Sequence, residues 1–383
     1  GADPERIAVV PNGVDARFNP AANAHAARSA YKLERPYVLV VGTRIARKNV
    51  AALEGAARRE IGGVERLARE MAELLPALNP ERYRVVQPPQ WLAHRAGHVW
   101  EQAALPALAR DSRLIYSPAN LAPVASSRNA VVIHDVAALR HPEWYGQAYV
   151  AYQRALLPRI ARGARLVLTV SEFSKRELVA VLGADPERIA VVPNGVDARF
   201  NPAANAHAAR SAYKLERPYV LVVGTRIARK NVAALEGAAR RLEPAGVELV
   251  HAGSGRGYMR PEAAGGLREL GYVSEAHLPG LYAGALALAM PSLYEGFGLP
   301  CLEAMACGTP VVAADSAALP ETTGGAAMLV DPDDGAAFTD ALERLVSDGE
   351  FRGQLAMRSV EHAHPFTWRR TAELTDAAIE TLL

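Results

Sequence analysis

Residues 291–312 have the sequence PSLYEGFGLPCLEAMACGTPVV, and this stretch says the most about the fold. A predicted apolar strand ends at Pro291, and Pro300 stands where a helix is expected to begin. Gly296 and Gly298 lie between them, and glycines allow the backbone to approach a ligand closely. A helix that begins here directs free N–H groups and the positive end of its dipole towards the turn. The stretch therefore predicts a diphosphate-binding turn between a strand and a helix.

Two glutamates flank this turn. Glu295 precedes the first glycine, and Glu303 lies one turn into the predicted helix, eight positions later. A carboxylate accepts two hydrogen bonds from neighbouring hydroxyls, so one glutamate can hold sugar hydroxyls while the other holds a ribose diol. Taken without their context, the same residues are also compatible with a capping carboxylate and a solvated helix position.

From Gly62 onward, short apolar strand patterns alternate with helical patterns, which is typical of parallel sheets covered by helices on both faces. The strands are predicted in two series, at residues 83–86, 114–116, 130–134, 166–170 and 189–192, and then at 219–223, 247–252, 288–291 and 311–313. The sequence PNGVD at 193–197 predicts a linker between the two series. The fold class is therefore α/β, with two doubly wound domains that turn the carboxyl ends of their strands towards a shared cleft.

Composition excludes several classes of protein. The 383 residues carry 43 Lys and Arg against 41 Asp and Glu, a formal net charge of +2, which excludes a nucleic-acid binder that acts through bulk charge. The two cysteines, Cys301 and Cys307, are too few for a disulfide framework. No apolar run approaches the ~20 residues of a membrane helix. We therefore expect a cytoplasmic chain with reduced thiols, without a signal peptide or a transmembrane span.

The chain also contains an unbroken duplication, because residues 1–59 recur without a change as residues 183–241. Solenoid repeats are short, tandem and degenerate, so we interpret this single long copy as a very recent duplication or an assembly event. The second copy continues smoothly into the following sequence and is expected to take the native place. For the first copy we predict an ill-ordered extension over residues 1–36. The strand at 37–41 is expected to join the N-terminal sheet beside the strand that ends at His134, and the alternative is that the whole first copy stays loosely packed.

Several stretches resemble one enzyme family in the right order along the chain. Residues 291–312 resemble the paired-glutamate signature of retaining glycosyltransferases of family 4, which have the two-domain GT-B fold. Further resemblances are the glycine loop GGVERLA at 62–68, IHD at 133–135 with HPEW at 141–144, VSEFS at 170–174, the linker at 193–197 and GYVS at 271–274. The departure is the N-terminus, where the duplicated segment takes the place of the expected first strand.

The resemblance implies a GT-B fold, in which two Rossmann-like domains face a central cleft. The implied parts are the duplicated extension 1–36, an acceptor-side domain 37–197 in which 37–59 supplies the first strand, a nucleotide-sugar domain 198–364, and a terminal helix 365–383 that packs back towards the N-terminal domain.

The resemblance further implies a retaining, metal-independent hexosyltransferase without a cofactor. Its donor is a nucleotide diphosphate sugar, with GDP-mannose favoured over a UDP-sugar, and its acceptor is a glycan or a lipid-linked hydroxyl. The implied catalytic residues are His134, Glu295, Arg229 and Lys230. The implied donor-binding residues are Gly63, Gly224, Arg229, Lys230, Tyr272, Val273, Glu295, Gly296, Phe297, Gly298, Leu299 and Glu303. An arginine fork and a compact lysine charge also suit a departing diphosphate on physical grounds.

Other readings stay open. A defective N-terminal domain would leave a protein that binds a nucleotide sugar without transferring it. A GT-B epimerase or phosphorylase is a weaker hypothesis, since a phosphorylase of this fold needs a lysine for pyridoxal phosphate and no convincing one is found. His134 is also compatible with a structural role. The cluster of Arg154, Arg159, Arg162 and Arg165 is compatible with contact at the inner face of a membrane, or with a solvated helix face.

Overall fold

The computed structural model describes residues 38–41, 62–86, 88, 99–253 and 265–383. Two six-stranded parallel sheets with their helices form two α/β domains in succession. This confirms the predicted fold class. The extension predicted at residues 1–36 and the connection at 43–61 lie outside the described residues.

The N-terminal sheet has the strand order β2-β1-β3-β4-β5-β6. Its strands are β1 (Val38–Val41), β2 (Tyr83–Val86), β3 (Leu114–Ser117), β4 (Asn129–Val132), β5 (Leu166–Thr169) and β6 (Ile189–Val191). Its helices are α1 (Gly63–Leu78), α2 (Leu105–Leu108) after a π-helical turn at Trp100–Ala104, α3 (Ala137–Arg140), α4 (Gln147–Gly163) and α5 (Glu172–Leu182). Strands β3, β4 and β5 are buried along their whole length, as expected for parallel strands covered on both faces.

The duplicated strand β1 is an inner strand of this sheet. It pairs in parallel with β2 on one side, with Val38 opposite Tyr83, and with β3 on the other, with Val38 opposite Leu114. The predicted position beside the strand that ends at His134 was therefore wrong by one strand. The reason is that both edges of β4 are already paired, with β3 and with β5.

The C-terminal sheet has the strand order β12-β11-β10-β7-β8-β9. Its strands are β7 (Tyr219–Val223), β8 (Glu248–Ala252), β9 (Arg268–Gly271), β10 (Ala287–Met290), β11 (Val311–Ala314) and β12 (Met328–Val330). Its helices are α6 (Ala206–Ala212), α7 (Glu236–Leu242), α8 (Leu278–Ala283), α9 (Leu299–Ala306), α10 (Leu319–Thr323), α11 (Gly335–Ser347) and α12 (Gly349–Ala363). The strand order reverses between β7 and β10, and such a switch point opens a crevice at the carboxyl ends of the strands. The loops that leave β7 and β10 hold Gly224, Arg229, Lys230 and the turn at 295–298, while Tyr272 and Val273 follow β9.

The chain crosses between the domains twice, and the two crossings lie side by side. Val196 donates its N–H to the Phe366 carbonyl at 2.9 Å, and Thr371 Oγ1 donates to the Pro193 carbonyl at 2.8 Å. A Cβ at Gly195 would overlap the backbone of Trp368. Only glycine therefore allows the linker to lie against the returning chain.

The returning chain forms the last helix, α13 (Trp368–Glu380), which belongs to the N-terminal core. Its Trp368 and Ile379 are buried in one hydrophobic cluster with Leu67, Met71 and Leu75 of α1. Both helices are amphipathic, because their apolar residues repeat at the helical period. Each helix therefore buries the apolar face of the other. The terminal helix thus completes the domain in which the chain began.

We expect Gly195→Ala to destabilise the protein by about 1 to 3 kcal/mol, since the added methyl group must displace backbone at the double crossing. Urea unfolding followed by circular dichroism measures this change. Gly353→Ala is the control, because Gly353 lies within α12 with open space around it, and alanine there should stabilise the helix slightly. Equal unfolding midpoints for the two variants would contradict the role assigned to Gly195.

Candidate active site

A cavity of about 320 Å³ lies between the two domains. All of the site residues that the sequence predicted line it: Gly63, His134, Gly224, Arg229, Lys230, Tyr272, Val273, Glu295, Gly296, Phe297, Gly298, Leu299 and Glu303. The volume lies within the range of small-molecule sites. The structure thus brings the predicted residues together, while their individual roles stay predictions.

Two helix N-termini open into this cavity, one from each domain. Helix α1 begins after Gly62 and α9 after Gly298, and neither helix has a side-chain cap. Residues of both first turns line the cavity. The uncapped N–H groups and the positive dipole ends favour an anion between the domains.

Glu295 forms ion pairs with both predicted diphosphate-binding residues. Lys230 Nζ donates to Glu295 Oε1 at 2.6 Å, and Arg229 Nη1 lies 3.6 Å from Glu295 Oε2. Arg229 Nη1 also donates to the Tyr294 carbonyl at 3.1 Å. Burial by itself would raise the pKa of Glu295, but the charges of Lys230 and Arg229 hold that pKa below its usual range. The three residues form one charged group, in which Glu295 is buried, the two cations are partly buried and the carboxylate stays ionised.

Packing and backbone conformation explain why glycine stands at three positions of the site. A Cβ at Gly296 would overlap the backbone carbonyl of His134 in the other domain. Gly298 has a φ of 97°, in the left-handed region. A Cβ at Gly224 would lie 3.0 Å from Cε of Lys230. We predicted that the glycines admit a ligand, and the structure shows that at Gly296 and Gly224 they also admit neighbouring protein atoms.

Glu303 is held from both domains. Tyr282 donates its hydroxyl to Glu303 Oε2 at 2.9 Å, and Arg66 of α1 donates through Nη1 to Oε1. Glu303 is only 3% exposed, although it lines the cavity. The carboxylate is therefore fixed in position, rather than solvated as in the alternative interpretation of the sequence.

His134 lies two residues beyond the end of β4, whereas we predicted that the strand continues to it. Its backbone N–H donates to Asn120 Oδ1 at 2.8 Å, and its ring Nε2 lies 3.1 Å from the Pro118 carbonyl. A carbonyl only accepts, so Nε2 carries the hydrogen and Nδ1 is left as an acceptor. Burial lowers the pKa of His134, although the bond to Pro118 opposes this shift. The ring is therefore neutral at pH 7.

Comparison with known proteins adds to this geometry. Residues 79–200 match the model of glycosyltransferase family 4, and residues 217–348 match that of the group 1 glycosyl transferases. O-antigen chain mannosyltransferase B of Escherichia coli is 30% identical over 284 residues, which are 70% of this chain and 74% of that protein. A D-inositol 3-phosphate glycosyltransferase of Kribbella flavida is 31% identical over 368 residues, 90% of this chain and 82% of the relative. The chain belongs to the group 1 glycosyltransferases.

A solved structure of similar fold supports the architecture of this glycosyltransferase. Sucrose-phosphate synthase from Thermosynechococcus elongatus superposes with a TM-score of 0.66 at 20% identity, covering 91% of this chain and 99% of that one. At this level of identity the likeness concerns the fold alone. The two α/β domains are thus those of the GT-B fold.

Further residues of the glycosyltransferase line the cavity but were not predicted as site residues, namely Arg66, Asn120, Asp135, Gly253 and Glu275. Asp135 lies 3.9 Å from Arg229 and belongs to the IHD stretch, so the motif contained a signal for it. Gly253 follows β8, and a Cβ there would overlap the Gly224 carbonyl. Arg66 likewise belongs to the GGVERLA stretch at 62–68, whereas Asn120 lies in none of the motifs that resemble the family.

We expect the depressed pKa of His134 to appear in the pH dependence of stability. Below its ordinary pKa of about 6.5, the unfolded chain binds the proton more readily than the folded enzyme, so stability falls as the pH falls. This group changes the free energy of unfolding by at most about 1.4 kcal/mol per pH unit. His134→Gln, which retains an N–H donor for Pro118, should flatten the fall in the urea midpoint between pH 7 and 5.

Substitution of the exposed His207 by Asn serves as the control and should leave the pH profile unchanged. A profile for His134→Gln that is as steep as that of the wild type would show that His134 is not the buried neutral group.

Proposed function

We propose that the enzyme transfers a hexose, with retention at the anomeric carbon, from a nucleotide diphosphate sugar to a hydroxyl of a glycan or lipid-linked acceptor. The observation that supports this most is the meeting of Glu295, Arg229 and Lys230 beside two helix N-termini in the interdomain cavity. A carboxylate suits sugar hydroxyls, and two cations with helix N-termini suit a diphosphate. A nucleotide sugar combines both chemical groups.

Arg229 and Lys230 are suited to stabilise the departing diphosphate. Arg229 Nε is buried and has no hydrogen-bond partner among the described residues, and Lys230 uses one of its three donors on Glu295. Their charges are already in place before the bond breaks, so the enzyme need not reorganise as negative charge develops. Because protein charges perform this task, we infer that transfer proceeds without a metal ion.

A same-face displacement accounts for retention better than a covalent intermediate on Glu295. The carboxylate lies against two cations, which lower its basicity and its strength as a nucleophile. In the proposed step, the bond from the anomeric carbon to the phosphate oxygen breaks while the acceptor oxygen bonds to the same face. The proton of the acceptor hydroxyl passes to the departing phosphate oxygen. His134, through Nδ1, is suited to accept a hydrogen bond from the transferred sugar.

GDP-mannose is the proposed donor. The resemblance of residues 133–144 to mannosyltransferase-type members and the similarity to the O-antigen chain mannosyltransferase support it. Incubation with GDP-mannose, UDP-glucose and other nucleotide sugars, followed by mass spectrometry of the products, tests the assignment. Nucleotide binding without hydrolysis or transfer from any donor would favour the impaired nucleotide-sugar-binding protein instead.

The arginine cluster, which includes three residues of α4 and Arg165 beyond its end, supports a membrane contact only weakly. Arg159 donates to the Ala155 carbonyl, Arg162 to the Pro158 carbonyl at 3.0 Å and Arg165 to the Leu382 carbonyl at 3.1 Å. These bonds direct the three guanidinium groups to carbonyl groups of the protein itself, and Arg162 alone lies in the last turn of α4. Among the described residues, no helix combines the length and the apolar character needed to span a membrane. Peripheral contact is therefore left as a minor part of the proposal.

We expect joint replacement of Arg229 and Lys230 by Met to reduce transfer by at least about 100-fold, because preorganised charges at the leaving group are lost. Steady-state kinetics with the donor found active above measures the effect. Arg226→Met is a matched control in the same loop, since Arg226 pairs with Glu269 at 2.9 Å rather than with Glu295. Wild-type transfer that EDTA abolishes and magnesium or manganese restores would refute the metal-free step.

The two glutamates should separate binding from turnover. Glu303→Gln is expected to weaken nucleotide binding about tenfold or more, since a charged hydrogen bond contributes ~1.5 to 3 kcal/mol. Glu295→Gln should mainly lower kcat, because Glu295 faces the transferred sugar in this assignment. Calorimetry with GDP and UDP gives the affinities, and product formation gives kcat. An unchanged affinity in the Glu303 variant would refute the ribose role.

A further inference from the structure

Arg66 joins the N-terminal domain to the carboxylate proposed to hold the ribose. It lies on the first turn of α1, and its Nη1 donates to Glu303 Oε1, on α9 of the C-terminal domain. The other oxygen of Glu303 accepts from the Tyr282 hydroxyl at 2.9 Å. One carboxylate is therefore oriented by two donors that come from different domains.

The surroundings of Arg66 hold the guanidinium in place. Arg66 is 7% exposed, its Cζ lies 5.6 Å from the centre of the Phe200 ring, and its Nε lies 3.6 Å from Glu275 Oε1. Its Nε has no hydrogen-bond partner among the described residues. A buried cation is costly unless a carboxylate pairs with it, so Arg66 depends on contact between the domains.

We propose that Arg66 is a positioning residue for the nucleotide: it orients the Glu303 carboxylate towards the ribose diol and does so only while the two domains are in contact. This inference rests on the proposed function, in which Glu303 binds the ribose.

The number of lone pairs on Glu303 supports this role. Each carboxylate oxygen accepts two hydrogen bonds, so Arg66 and Tyr282 use one position on each oxygen and leave one on each for the two ribose hydroxyls. A carboxylate that is already fixed loses less conformational entropy when the ribose binds. The same contact needs α1 and α9 to be adjacent, so nucleotide binding and closure of the cleft favour each other.

A merely structural ion pair between the domains predicts a different result. Loss of such a pair would weaken the binding of every ligand of the closed cleft, whichever hydroxyls the ligand carries. Loss of a positioning residue should weaken only those ligands whose ribose hydroxyls bind Glu303. The ribose hydroxyls therefore provide the discriminating measurement.

The experiment titrates GDP and UDP, and their 2′,3′-dideoxy counterparts, into the full chain by calorimetry. Arg66→Met is expected to lower the affinity for the nucleotide that the wild type binds by about tenfold, as the loss of a charged hydrogen bond does. The affinity for the dideoxy counterpart should change less than twofold. The effects of Arg66→Met and Glu303→Gln should not add, because both act on one contact. Arg69→Met is the control, since Arg69 is on the same helix and pairs with Glu275 at 3.4 Å.

Equal weakening of the ribose and dideoxy nucleotides in Arg66→Met, or an unchanged GDP affinity, would overturn the positioning role. If Arg66→Met does not fold by circular dichroism, Arg66→Lys replaces it, because the charge is retained while the ammonium group ends one bond short of the Nη1 position that contacts Glu303. Additive effects of the Arg66 and Glu303 substitutions would also overturn the proposal. Wild-type protein that binds neither GDP nor UDP would instead refute the proposed function, and this inference with it.

Discussion

At Gly296 the backbone of the C-terminal domain lies directly against the N-terminal domain. The Gly296 carbonyl accepts hydrogen bonds from the hydroxyls of Ser171 at 2.6 Å and Ser174 at 3.0 Å, at the start of α5. Because Gly296 has no side chain, the carbonyl of His134 also packs against it. The preceding residue in the chain is Glu295, so this contact brings His134 of one domain and Glu295 of the other to the same cavity. Which side chains face one another across the cleft depends on this close contact between the two backbones.

The ion pairs of the cleft are buried or partly buried, and this bears on whether they contribute to stability or to the reaction. A buried ion pair seldom adds stability over a well-packed apolar replacement, because desolvation offsets the attraction between the charges. The glycosyltransferase nevertheless buries Glu295 beside the partly buried Lys230 and Arg229, and buries Glu303 with Arg66. The first group lies within the C-terminal domain, while the second spans both domains. The first group is therefore suited to stabilise charge in the proposed reaction. The second group forms only when the two domains are in contact.

Elements with a strong apolar pattern could be predicted from the sequence, and those that depend on pairing could not. The runs of β7 and β11 were predicted close to their observed bounds, because a run of apolar residues reflects burial on both faces of a strand. Strand β9, Arg268–Gly271, was missed since RELG has no apolar run. It is a strand because its backbone pairs with β8, and Arg268 lies 3.0 Å from Glu248 across that pair. Strand β12, Met328–Val330, was also missed, because three apolar residues are too few to distinguish a strand from a helix.

By itself the sequence determined that this is a two-domain α/β chain with a glycine turn between a strand and a helix and two glutamates at that turn, because spacing, glycines and apolar runs are local properties. Tertiary structure decided which groups face one another. Arg66 and Glu303 are 237 positions apart, and only the packing of α1 against α9 brings them together. The position of β1 was also decided there: its sequence is that of an inner parallel strand wherever it stands, but free hydrogen-bonding edges on β2 and β3 fixed its place. Side chains and backbone edges that meet across domains leave no pattern along the chain, since their proximity is a property of packing.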